Sequence, residues 1–145
     1  MMMQSSIDGE ERPARARVPL AGGRAYDGPV IRYLLDANVC IRIARNADCR
    51  VAHRVRRQPP GSVAISAIAL AEIARLETLD SLLESLPVAA FDTDAARAFP
   101  AAARARGKFD RLIAAHALSL DATLITCNTR DFRDVPGLRI EDWTH

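Results

Sequence analysis

The stretch "GKFDRLIAAHALSL", residues 107–120, sets the carboxylate of Asp110 at the entrance of an otherwise apolar helix. Three other acids stand at related points. Asp36 closes "VIRYLLD", Glu72 interrupts "ALAEIA", and Asp131 follows "ATLITCNTR". An acidic side chain among Ala, Leu and Ile is expensive to bury unpaired. Three or four brought together also repel, and burial raises their pKa values further. A hard divalent cation relieves both costs. Mg²⁺ takes oxygen ligands, keeps several waters and commonly joins carboxylates to substrate phosphate. Such a centre activates water for phosphodiester hydrolysis. Histidine and cysteine do not recur at these positions, which argues against zinc.

Each acid also has a plainer role. Asp36 and Asp110 are good helix caps. Glu72 reads equally as a half-exposed helix residue, and Asp131 as a turn residue. Asp92 and Asp94, in "FDTDAARAF", are assigned to a helix N-terminus. His116 lies six residues past Asp110, on a different helix face, and reads as packed or exposed rather than as a general base.

The elements that must position these groups are legible from periodicity. "VIRYLL" is a buried strand ending at Asp36, and Asp36 or Asn38 caps a helix through about Arg45. A short helix follows Asp48 until "QPPGS" breaks it. "VAIS" is a second strand, with Ser66 capping one long helix over "AIALAEIARLETLDSLLESL". "VAAF" is a third strand. Pro100 should split the helical region that follows. The helix over about 109–120, the strand "ATLIT" and a further strand at "LRI" complete the pattern. Strands alternating with helices predict βαβ units and a parallel sheet. Sites in such sheets gather at the carboxyl edge. Asp36 and Asp131 would share that edge, with Glu72 and Asp110 reaching it from adjacent helices.

Length and composition set the frame. A chain of 145 residues, 49% hydrophobic and 26% charged, supports one domain with a substantial core. The net charge of +2 does not by itself announce a nucleic-acid partner. Residues 1–29 are polar and broken by Gly and Pro, and are expected to form a disordered tail ahead of a domain over 30–145. They hold no apolar run suited to a signal peptide or membrane span. The three cysteines, Cys40, Cys49 and Cys127, form neither a disulfide framework nor a zinc motif, which suits a reducing cytoplasm. Arg50, Arg54 and Arg57 repeat at helical spacing, and Arg42, Arg45 and Arg56 add to them. They make either a solvated basic face or a contact for phosphate or a partner protein.

Taken in order, "YLLDANVCIRIAR", "ISAIALAEI", "DRLIAAHALSL", "ATLITCNTRDF" and "VPGLRIEDW" resemble PIN-domain proteins of the VapC type, toxins of bacterial and archaeal toxin–antitoxin pairs. The resemblance implies a three-layer α/β/α fold with a central parallel sheet of four to five strands. It also implies Mg²⁺- or Mn²⁺-dependent endoribonuclease activity, a VapB-like antitoxin and a homodimer. It carries the metal-site role to Asp36, Glu72, Asp110 and Asp131, with Asn128 in support. An antitoxin would place an arginine in the carboxylate pocket. Two departures stand out: Glu72 to Asp110 is 38 positions, shorter than usual, and Cys127 occupies a position that is usually polar. The shortened middle motivates an alternative, a PIN module that binds RNA or a partner without cutting. Haloacid-dehalogenase chemistry is disfavoured, because Asn38 stands where a second Asp is needed. The single lysine, Lys108, does not fit a receiver domain, and no phosphate-binding glycine loop is present.

Overall fold

A computed structural model describes residues 30–75 and 79–145; the tail expected over 1–29 lies outside the described residues. Five strands, β1 (Tyr33–Leu35), β2 (Val63–Ser66), β3 (Val88–Ala89), β4 (Thr123–Ile125) and β5 (Ile140–Glu141), form one sheet in the order β3-β2-β1-β4-β5. Every pairing is parallel. Helices flank the sheet as α1 (Ala37–Arg45), α2 (Arg50–Arg56), α3 (Ala67–Ile73), α4 (Leu79–Ser85), α5 (Thr93–Arg97) and α6 (Lys108–Leu120). The result is the expected three-layer α/β/α arrangement. Strands buried on both faces must be apolar throughout, and Leu34, Leu35, Ile65, Leu124 and Ile125 are fully buried.

β1 lies between β2 and β4, so the chain leaves β1 in one direction and later returns on its other side. In parallel sheets such a reversal marks the edge where binding crevices form, here the carboxyl ends of β1 and β4. The register places Leu35 beside Ile125, and the Asp36 N–H donates to the Ile125 carbonyl at 3.0 Å. Side chains following the two strands are therefore neighbours.

The helices end where local chemistry directs. Asp92 caps α5 by accepting the Ala95 N–H at 2.9 Å. Pro100 follows, and a 3₁₀ turn over Phe99–Ala102 replaces a continuous helix. Ala114, Ala115 and Ala117 bring α6 against the core with no bulk to hold it away. One expectation is corrected: the helix after Ser66 stops at Ile73, with Ala74 as its C-cap, and α4 is described separately over Leu79–Ser85. Its repeating Leu and Ile pattern fits either arrangement, so periodicity did not locate the stop. The first and last strands are also shorter or shifted, starting at Tyr33 and Ile140.

Trp143 closes the core beyond β5. It is 1% exposed, and its ring centroid lies 4.9 Å from that of Tyr33. Its indole N–H donates to Glu141 Oε1 at 2.8 Å. Trp143→Ala should therefore cost about 3–5 kcal/mol in urea unfolding, as large buried aromatics do. A cost near that of an exposed substitution would show that this end of the chain is not part of the core.

A carboxylate crevice at the sheet edge

Asp36 follows β1 directly and is 5% exposed. Its Oδ1 accepts the Ala37 N–H at 2.8 Å, so it caps α1 as its plainer reading expects. Its Oδ2 accepts the Thr126 hydroxyl at 2.7 Å from the end of β4. Thr126 in turn accepts the Asn128 N–H at 3.0 Å. Residue order alone does not single out Thr126. The available signal was the pairing itself, which puts the residue after Ile125 beside the residue after Leu35. Asn128, expected in support, is linked to the crevice through its main chain.

Asp110 is the third residue of α6, and its Oδ2 accepts the Gly107 N–H at 3.0 Å. This is half of a capping box, because glycine has no side chain to return the bond. A Cβ at Gly107 would stand 3.0 Å from that oxygen. Asp131 ends a 3₁₀ turn over Thr129–Asp131, and its carbonyl accepts the Arg106 N–H at 3.1 Å, tying the turn to the approach to α6. Glu72 lies on the exposed side of α3.

The four acids share one electrostatic field. Burial raises the Asp36 carboxyl, the bonds from Thr126 and Ala37 offset part of that, and the charges of Asp110 and Asp131 raise it again. Partial burial and then Asp36 and Asp110 raise Glu72. Partial burial raises Asp110, the Gly107 bond lowers it, and Asp131 raises it. Each charge acting on these three is thus another carboxylate. Cys40, one turn beyond Asp36, is buried, and burial together with Asp36 holds its thiol neutral. Among the described residues, no three His, Cys, Asp or Glu side chains are closed around a common point as a metal cage. The donor set nonetheless fits a hard divalent ion: it is all oxygen, and each bonded carboxylate oxygen retains a lone pair.

The PIN domain family profile matches residues 33–138. The chain belongs to the PIN-domain family. This PIN domain is 32% identical to the tRNA(fMet)-specific endonuclease VapC of Shigella flexneri, over 79% of this chain and all of the relative. It also resembles the solved structure of DNA-bound VapBC from Salmonella typhimurium, with a TM-score of 0.67 and 30% identity, over 78% of this chain and 98% of that one. VapBC-1 from nontypeable Haemophilus influenzae matches with a TM-score of 0.66 and 27% identity, over 79% and 100% of the two chains.

Basic residues of α2 and its C-cap gather beside Trp143. Arg50, His53, Arg54 and Arg57 line a concavity of about 510 Å³ with Trp143 and His145. Arg54 lies over the indole, 4.7 Å from its centroid, and 3.5 Å from Glu141 Oε1. Arg56 turns away to the Ala47 carbonyl at 3.0 Å. Arg42 acts on Asp142, and Arg45 is exposed at the end of α1. Among the described residues, no helix is long and apolar enough to cross a membrane.

The raised carboxyls have a signed consequence. Folded carboxyls titrating above their usual value near 4 hold protons that the unfolded chain has already released. The contribution of Asp36, Glu72 and Asp110 to stability therefore falls as pH rises from about 4 through the folded values. Without metal, Asp110→Asn should melt at or above wild type near pH 7, with the gap closing towards pH 4. Melting in chelator across that range measures it. A gap that instead grows as pH falls would contradict a shared carboxylate field.

Proposed function

We propose that this PIN domain is a divalent-metal-dependent endoribonuclease acting as the toxin of a toxin–antitoxin pair. The observation that supports the proposal is that the charges acting on Asp36, Glu72 and Asp110 come from one another and from Asp131. The naming of similar proteins as VapC ribonucleases supports the choice of RNA. The VapBC complexes among the structural neighbours support a VapB-like antitoxin as the partner. A second copy of the chain completes a homodimer in this reading.

Asp36, Glu72, Asp110 and Asp131 would hold Mg²⁺ or Mn²⁺. When bound, the ion would offset their repulsion, lower the pKa of a water and stabilise charge on the phosphorus. The protein's own part is orientation. Thr126 and the Ala37 N–H fix the plane of the Asp36 carboxylate, and the Gly107 N–H fixes that of Asp110. Water adds to phosphorus, one P–O bond breaks, and one RNA end leaves as a hydroxyl. Arg50, Arg54 and Arg57, with Arg42 and Arg45, supply phosphate contacts for the RNA or a docking face for the antitoxin.

Asp110→Asn retains the capping oxygen and removes a charge the ion needs. RNA cleavage should fall by more than about a hundredfold, since even groups that only support metal ligands cost ten- to a hundredfold. The fold should persist. In a melting titration at constant ionic strength, Mn²⁺ should raise the Tm of wild type. The gain is roughly 1.4 kcal/mol per tenfold metal above Kd, a few degrees for a domain of this size. Asp36→Asn and Asp110→Asn should flatten that response, whereas Asp94→Asn should not. Wild-type cleavage by Asp110→Asn would remove the site assignment. RNA binding with no cutting by wild type would favour the non-cleaving alternative.

Neutralising Arg50 and Arg57 to Gln should weaken RNA binding and flatten its salt dependence. The log–log slope should change by about 0.7 for each lost phosphate contact. An unchanged slope would assign these residues to a solvated face or to the antitoxin.

A further inference from the structure

His116 and Ser66 form a buried side-chain bond between two distant segments. His116 Nδ1 lies 2.9 Å from Ser66 Oγ, and both residues are 0% exposed. Ser66 ends β2 and caps α3, its oxygen accepting the Ile68 N–H at 3.1 Å and the Ala69 N–H at 3.5 Å. The Ser66 hydroxyl can donate to His116 Nδ1 while its oxygen accepts the α3 N–H groups. Phe91 meets the ring edge-on, at 5.5 Å between centroids.

The position of this bond is what connects it to the crevice. Glu72 lies six residues past Ser66 on α3, and Asp110 lies six residues before His116 on α6. The two helices touch, and the Asp110 charge acts on Glu72. Both pairs come together only when the helices pass in opposite senses. Six residues of helix rise about 9 Å, so the bond and the carboxylates lie at opposite ends of the same contact. Alanines and isoleucines along a helix face slide with little directional preference. A hydrogen bond between β2 and α6 does not, and it fixes where α6 stops along α3.

We propose that His116 and Ser66 are positioning residues, a pin that sets the register of α6 against α3 and thereby the spacing of Glu72 and Asp110. The proposal rests on the nuclease reading above. Misplacement by about 1 Å is enough to cost a hundredfold in rate. The pin thus acts on turnover more than on RNA affinity.

Two substitutions separate positioning from packing. His116→Phe keeps a buried ring against Phe91 and loses the acceptor. His116→Asn offers an acceptor near the Nδ1 position and loses bulk. RNA cleavage is measured with Mn²⁺ well below each Tm, alongside wild type and Asp110→Asn. His116→Phe should lower kcat by about ten- to a hundredfold with KM within about twofold. His116→Asn should keep more of kcat while melting lower. If kcat instead follows Tm, the pair is only a packing contact and the proposal falls. If His116→Phe gives no cooperative melt, Ser66→Ala carries the same test, with kcat lost and KM held. Unchanged kcat there overturns the proposal. Wild-type cleavage with Asp110→Asn inactive and His116→Phe unimpaired leaves the nuclease reading standing without the pin. A wild type that cuts no RNA overturns the nuclease reading, and the pin's catalytic role with it.

Discussion

The parallel pairing of β1 with β4 is the constraint on which the remaining arrangement depends. Two short strands, Tyr33–Leu35 and Thr123–Ile125, lie some ninety residues apart in the chain and share a register that ends them together. Their ends put Asp36 beside Thr126 and let a hydroxyl from one strand orient an acid from the other. The same pairing leaves the turn holding Asp131 at the mouth of α6. A slip of one residue would turn Leu124 and Ile125 to the wrong faces. Burial of those side chains therefore protects the geometry of the crevice as well as the core.

The crevice works against this foundation. Like charges held together at the edge of an apolar core oppose folding, and the upward shifts of Asp36, Glu72 and Asp110 express that opposition. The surrounding helices offset it with buried alanines, leucines and isoleucines, and with Trp143 closing the far end. Arg54 is occupied by Trp143 and Glu141, and the charges that act on Asp36, Glu72 and Asp110 among the described residues are those of other carboxylates.

Much of this was legible from residue order because local signals and long-range pairing agree here. Asp36 at the end of an apolar β run and Asp110 at the start of a helical run mark both an element boundary and a chemical group. Asp92 as a cap and Pro100 as a break followed from backbone chemistry alone. What escaped depended on tertiary contact. Thr126 is an unremarked threonine until β4 lies beside β1. The helix face of His116 reads as packed or exposed, yet its bond to Ser66 spans fifty residues, a link no periodicity encodes. The stop at Ile73 leaves no mark in the pattern, because leucines continue at helical spacing beyond it.

The hydrogen bonds that aim the carboxylates come mainly from the main chain: Ala37 N–H to Asp36 and Gly107 N–H to Asp110, with Asn128 N–H holding Thr126. A main-chain donor is indifferent to the side chain it carries, and only proline removes it. Much of the crevice can therefore drift in sequence while its acids keep their aim. The exceptions carry no charge. At Thr126 the donor is a side chain, and at Gly107 any Cβ would crowd the Asp110 oxygen at 3.0 Å. Tolerance to mutation around this edge should thus be uneven, high beside the acids and low at one threonine and one glycine.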